Sequence, residues 1–554
     1  MPPKPCYSNA ERLKAQGNEF HQKGQYQAAH RKYTEAIKED PTNAIYYANR
    51  AASSLAMNEY LDAAGDANKA KDLDPNYAKA WSRLGSATFA SSFRALAAYD
   101  ASVNAWKTAL ECLPPKEQSN ESQKTLRAQF AAGLAKARKA QNTPIDQDRM
   151  IPLANDKNMP WTKAAELEAD YVAKQKHSSA FVILVAYREF KEGVDAMMKV
   201  KKTYENGHTK WFGKAGALAD ISNGVLRDPR VFHLNGSDWI DKFNEQVSFE
   251  AQLYNAWVQG GAKTIKQEAP QRLKKEGWDS VRFALSITIR AWLMLGLLAN
   301  STGIYSTAME YYSRIIDVLD WGAHTWRDVP LEDRGVIFEK TFIRAAKRLK
   351  LATMHTCITT KETGVVVTRD ELVEFARNII AETDANPPPL PNDLDFADLA
   401  SFWMYPKGEA LSILGWHHMQ LGHEAKNAED AQNAYSQSSI FYINASLSYP
   451  RDEEATLTFY KVAVEAFWYM PEGYNLKRML GLLHQIGLYY ADVMKIWEHS
   501  AAAKGREKQL LHALEVAARC QDAMEAGEIT LEDVVRPKEW EPLCKWGGKG
   551  VIYV

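Results

Sequence analysis

Lys79 and Arg83 stand four residues apart in "YAKAWSRLG", and no acidic residue lies between them. On a helix the two would share a face about one turn apart, where like charges repel by about 0.2–0.5 kcal/mol. Lys14 and Asn18 are also four apart, and a further amide, Asn49, lies in "YYANRAA". Any one of these reads as a solvated side chain. Brought together, three cations and two amides with no acid among them are poorly solvated alone and suited to an anion carrying several oxygens. A peptide's terminal carboxylate plus an Asp side chain offers four acceptor oxygens to such donors.

What must position them is a repeat. Gly17, Phe20, Ala29, Tyr33, Ala36 and Pro41 are followed 34 residues on by Ala51, Ala63, Ala70 and Pro75, and Gly85 is reached after another 34. The turns "KEDPTNA" and "KDLDPNYA" match almost residue for residue. This is the period of a tetratricopeptide repeat, two antiparallel helices in which small residues allow close crossing. Ser8 and Glu11 predict a capping box at its start. In the third unit Trp106, Ala109 and Pro114 arrive about five residues late, which predicts an extended loop between its two helices. Leu126, Phe130, Leu134 and Ala137 then mark the buried face of a polar helix that caps the array.

In such arrays the first helices of successive repeats line a concave groove. Lys14 and Asn18, Asn49, and Lys79 and Arg83 fall on the first helices of repeats one, two and three. On these five positions residues 8–115 resemble the carboxylate-clamp tetratricopeptide domains of chaperone adaptors, among them the Hsp-organising protein, small glutamine-rich co-chaperones and the tetratricopeptide immunophilins. The resemblance covers about a fifth of the chain, and the lengthened third repeat departs from the family pattern at the groove's far end. It implies that the groove holds the Glu-Glu-Val-Asp (EEVD) tail of the seventy- or ninety-kilodalton heat-shock chaperones. Lys14, Asn18 and Asn49 would then hold the terminal carboxylate, Lys79 the last residues, and Arg83 the acidic side chains or backbone.

The whole chain reads as all-α: a three-repeat domain over 1–142, a linker over 143–160, and a larger helical domain over 161–554 with divergent repeats. Trp292, Leu295, Gly296, Gly303, Ala308 and Tyr312 keep the repeat spacing. Leu414, Gly415, Gly422, Tyr442, Ala445 and Pro450 keep it with an insertion of about eleven residues. A third hairpin is expected around "LGLLHQIGLYYADVMKIWEH". Thr368 and Glu371 predict a capping box before the connector "ANPPPLP", and strand-like runs such as "GVVVT" are isolated. Leu293 and Leu297 occupy the positions that carry cations in repeats one and three, which predicts an apolar groove for a second protein partner.

A net charge of -1 over 554 residues gives no global field for nucleic acid. Five scattered cysteines suit a reducing compartment and supply no zinc pattern. With no h-region at the N-terminus and no apolar run of about 18 residues, neither a leader nor a membrane span is expected, so the reading is cytoplasmic. The chain shows no GxxxxGK[ST], GxGxxG after a strand, GxSxG or HExxH motif. "GGKG" near the end reads as a loose tail. His417 and His418 point about 100° apart on a helix, so no metal is expected with His423, and the tryptophans read as core. No cofactor and no catalysis are expected. The function that follows is a co-chaperone or chaperone adaptor. Two alternatives stay open: an enzyme with a cryptic site in the helical remainder, and a scaffold for an unrelated acidic C-terminus.

Overall fold

A computed structural model describes residues 8–91, 99–142, 156–205, 208–258, 260–361, 367–389, 395–543, 545 and 550–554. The extended loop expected in the third repeat, most of the 143–160 linker, the first part of "GVVVT", all but the last residue of "GGKG", and the end of "ANPPPLP" lie outside these residues. The chain forms two compact units. The first takes 1–151, 195–219 and 234–339; the second takes 152–194, 220–233 and 340–554. These are not the blocks 1–142 and 161–554, because two later segments return to the unit that holds the repeats.

In the first unit the repeats run as α1 (Asn9–Gln22), α2 (Tyr26–Glu39), α3 (Ala44–Ala56), α4 (Tyr60–Leu73), α5 (Ala78–Ser91), α6 (Tyr99–Glu111) and the capping helix α7 (Glu121–Asn142). The first and third hairpins cross where a glycine meets a large ring, the second where alanines of both helices meet. A Cβ on Gly17 would lie 2.5 Å from the Tyr33 ring, and one on Gly85 would lie 2.9 Å from Trp106. The turn between the two helices needs a left-handed residue, supplied by Gly24 (φ 74°) and, one period later, Asn58 (φ 59°). Phe130 and Ala137 of α7 are buried with Trp106, and Leu126 and Leu134 pack beside them, as the cap requires.

After α8 (Pro160–Ala173) and α9 (Ser179–Met197), β1 (Lys201–Glu205) pairs antiparallel with β2 (His208–Phe212). The sequence "KKTYENGHTKWF" carries the hairpin signal as an Asn-Gly pair between two short runs, which a purely helical reading passes over. There follow α10 (Ala217–Arg227), α11 (Trp239–Tyr254), α12 (Ala262–Glu276), α13 (Trp278–Ser301), α14 (Tyr305–Thr325) and α15 (Leu331–Arg334). The α13–α14 pair is the expected repeat: a Cβ on Gly296 would lie 2.9 Å from the Tyr312 ring, and Gly303 (φ 75°) makes the turn. By length and composition α13 could cross a membrane, a possibility that counting unbroken apolar runs overlooked; 78% of its apolar window is buried within the protein, as in a core helix. Leu293 and Leu297 are 0% and 6% exposed. They pack in the core and do not form the open apolar groove expected of them.

The repeats are tied to these helices by exchanged caps. The first N–H groups of a helix lack internal partners, and neither Glu59 before α4 nor Gly261 before α12 supplies a side-chain cap. Instead Leu61 N–H donates to Glu310 Oε1 of α14 at 2.9 Å, and Lys263 N–H donates to Asp62 Oδ1 of α4 at 3.1 Å. Burial pushes Glu310 up to about 8 and Asp62 up to about 6, with the Arg314 charge opposing both. Folding therefore holds a proton on Glu310 that the unfolded chain releases above its ordinary value. The stabilisation is full below that value and lost as pH rises to about 8. Urea unfolding should show the first unit weakening by on the order of a few kcal/mol from pH 5 to 8, and Glu310→Gln should flatten most of that slope.

The second unit adds α16 (Lys340–Thr359), α17 (Arg369–Ala385), α18 (Phe396–Leu399), a π turn at Ala400–Met404, α19 (Tyr405–Glu424), α20 (Ala428–Leu447), α21 (Glu454–Tyr469), α22 (Leu476–Trp497) and α23 (Ala503–Glu525). Near the end β3 (Val534–Arg536) pairs parallel with β4 (Val551–Tyr553). The Thr368–Glu371 capping box is complete. The "LGLLHQIGLYYADVMKIWEH" stretch lies within α22 apart from its end, and its hairpin partner is α23. Trp468 and Trp497 are fully buried.

The insertion in the 414–450 repeat lengthens its helices and leaves the turn short. Gly408, Gly415 and Gly422, seven apart on α19, face Tyr449, Tyr442 and Tyr435, seven apart on α20 and, for Tyr449, just past its end. Gly422 is thus the last rung of a glycine–tyrosine ladder. A Cβ at 415 would sit 2.8 Å from the Tyr442 ring. Gly415→Leu should therefore cost about 1–3 kcal/mol by overpacking, read as a lowered thermal midpoint, with Gly415→Ala intermediate.

Buried Asp228, Glu453, Glu454 and Arg506 cluster around the half-buried Arg230 in this unit. Arg230 donates to Asp228 (2.6 Å) and to both Glu453 (2.5 Å) and Glu454 (3.1 Å), and lies 3.9 Å over the Trp497 ring. Tyr405 O–H donates to Glu453 at 2.6 Å, and Arg506 pairs with Glu454.

Candidate functional site

The five predicted residues occupy the first helices of the three repeats: Lys14 and Asn18 on α1, Asn49 on α3, Lys79 and Arg83 on α5. The repeat brings α1 against α3 and α3 against α5. Asn49 Nδ2 donates to Asn18 Oδ1 at 3.2 Å, and the buried Tyr33 O–H donates to the same oxygen at 2.8 Å. Burial pushes the Tyr33 phenol up to about 12, so it remains a donor. With its carbonyl oxygen held twice, the Asn18 amide presents N–H groups that have no acceptor among the described residues. The two amides are therefore pre-set as donors.

Lys79 is exposed and Arg83 half-buried. Among the described residues neither side chain makes a hydrogen bond or ion pair. Burial draws Arg83 below the usual guanidinium value, with Tyr77 opposing. One turn beyond Asn18, His21 Nδ1 lies 3.1 Å from Ser53 Oγ, a second link between α1 and α3. Burial and then the Arg83 charge lower the His21 pKa, which places Arg83 electrically beside this link. His21 and Ser53 were not singled out in the sequence. The signal for them was the same helical spacing, three residues on from Asn18 and four on from Asn49.

Lys14 departs from the expectation of cations without an acid. Its ammonium pairs with Glu11, three residues earlier, whose other oxygen accepts from Tyr46 O–H at 2.9 Å. That pairing also alters the predicted capping box. Ser8 Oγ accepts from Glu11 N–H at 3.2 Å, but the Glu11 carboxylate turns to Lys14 and Tyr46 instead of completing the box. The Lys14 bond first and the Tyr46 bond next hold Glu11 below the usual carboxylate range, against the upward push of burial.

Other constellations are less suited to a ligand. A cleft of about 410 Å³ in the first unit is lined by His30, Arg31, Arg50, Asp66 and Lys263, among others, and contains none of the five. Its Arg50 is already held by Asp66 in a two-pronged pair at 2.6 and 2.8 Å. His417 and His418 meet edge to face at 5.2 Å. His423 lies in the last turn of α19, 3.0 Å from Tyr435 Oη. Among the described residues no group of three or more His, Cys, Asp or Glu could hold a metal ion.

Comparison with known proteins places the repeats. Residues 17–58 match the TPR (tetratricopeptide) repeat family. Over 83 residues the chain is 52% identical to small glutamine-rich tetratricopeptide repeat-containing protein 2 of Saccharomyces cerevisiae, a match covering 15% of this chain and 24% of that protein. Over 80 residues it is 44% identical to the heat-shock protein cognate (HSC) co-chaperone sgt12 of Aspergillus fumigatus, covering 14% and 24%. Over 105 residues it is 36% identical to human serine/threonine-protein phosphatase 5, covering 19% and 20%. The chain thus spans about a quarter or less of the length of these relatives.

Proposed function

We propose that this chain, whose N-terminal segment consists of TPR repeats similar to those of small glutamine-rich co-chaperones, is a chaperone adaptor. Its groove takes the acidic C-terminal tail, ending Glu-Glu-Val-Asp, of a seventy- or ninety-kilodalton heat-shock chaperone. Asn18 and Asn49, with Lys14, hold the terminal carboxylate; Lys79 and Arg83 take the acidic side chains. The observation that carries this reading is the pre-set Asn18–Asn49 amide pair on helices next to two cations that have no hydrogen-bond or ion-pair partner among the described residues. Such donors gain most from an anion with several oxygens.

The remainder of the chain acts as an interaction region for a second, unidentified protein, and the whole works by binding, without catalysis or a cofactor, in the cytoplasm. Buried Leu293 and Leu297 are not its anchors. The test is to titrate the full chain with a Glu-Glu-Val-Asp peptide and with the same peptide amidated at its C-terminus. We expect micromolar binding of the free acid, about -8 kcal/mol, and at least a tenfold loss on amidation. Equal binding of the two peptides would sink the reading.

A further inference from the structure

Among the five groove residues, Lys14 alone already holds a carboxylate. The Glu11 side chain is only 33% exposed, and each of its oxygens has a donor: one the Lys14 ammonium, the other the Tyr46 hydroxyl of α3. Its backbone is pinned as well, since Glu11 N–H donates to Ser8 Oγ. Tyr46 is 1% exposed, so the anchor is itself fixed. The result is a carboxylate held between α1 and α3 and bound to the lysine assigned to an incoming terminus.

We propose that Glu11 is a resident competitor that sets the affinity threshold of the groove for acidic C-terminal peptides. This rests on Lys14 being a tail-binding residue. A terminal carboxylate must share or replace Glu11 at Lys14, and the arriving charge is repelled by the one already there. A peptide overcomes this by engaging Lys79 and Arg83, which have no partner to displace among the described residues. A C-terminus with one carboxylate has less to offer those cations, so Glu11 raises the requirement for a second acidic group.

Glu11→Gln keeps the shape and an acceptor for Tyr46 while removing the charge. In the full chain it should bind a Glu-Glu-Val-Asp peptide about two- to fivefold tighter, the scale of a part-exposed ion pair. A peptide ending in Asn instead of Asp should gain at least as much. Glu11→Asp keeps the charge but shortens its reach, and should fall between the two proteins; it serves as the second variant if Glu11→Gln is poorly folded. In a Lys14→Ala background the gain should vanish, because the effect runs through that lysine. Unchanged or weaker binding by Glu11→Gln, or a gain that survives Lys14→Ala, overturns the competitor role. If the unmutated chain binds no tail, the adaptor reading fails first, so the two failures are distinct.

Discussion

Lys79→Ala combined with Arg83→Ala should weaken binding of a Glu-Glu-Val-Asp peptide to the full chain well over tenfold. Hydrogen bonds to charged groups contribute roughly 1.5–3 kcal/mol each, and this variant removes two donors of that kind. Since neither side chain has a hydrogen-bond or ion-pair partner among the described residues, the loss should appear in peptide binding with little change in the unfolding midpoint. A second readout lies outside the peptide. Part of the lowering of the His21 pKa comes from the Arg83 charge, so the imidazole, followed by NMR, should titrate at higher pH in the variant, while burial keeps it below the ordinary histidine value. Full affinity in the double variant would remove α5 from the binding site.

The largest stability effect is expected at Arg230→Met. Asp228 and Glu453 are each 0% exposed, and Arg230 bonds to both. Breaking a buried pair by removing one partner typically costs about 3–5 kcal/mol, because the charge left behind is uncompensated. Burial by itself pushes Asp228 up, and Arg230, by charge and hydrogen bond, brings it below the usual carboxylate range. Without the arginine only the upward push remains from that pair, so the folded variant should take up a proton. Its carboxyl pKa would then lie above the unfolded value, and stability would fall as pH rises. Urea unfolding should show a deficit larger at pH 8 than at pH 5. Adding Glu453→Gln should restore part of it. An Arg230→Met protein as stable as the parent at pH 8 would mean that the charges are satisfied by other groups.

Sequence by itself determined the repeats, and with them which residues face one another within a hairpin. The 34-residue period is a local property: Gly17 meets Tyr33 and Gly296 meets Tyr312 because antiparallel neighbours joined by a short left-handed turn leave no other register. Even the lengths of the irregular units were legible, since the late Trp106 and Tyr442 still meet Gly85 and Gly415. The five groove residues could be assigned to three helices on the same ground, and so the direct Asn18–Asn49 bond was within reach of the spacing.

What only the tertiary structure decided concerns partners far apart in the chain or burial that depends on several helices at once. Leu293 and Leu297 occupy groove positions by count, yet they are buried in the first unit's core. Glu310 caps α4 through Leu61, 249 residues before it, a contact for which no local pattern exists. Glu11 could have been noticed three residues before Lys14, but its hold on that lysine comes from Tyr46, delivered by the next repeat. Helical periodicity tells which side chains share a face; what covers the face, and therefore which charges remain free to meet a ligand, is settled by packing and by the cost of burying a polar group without a partner.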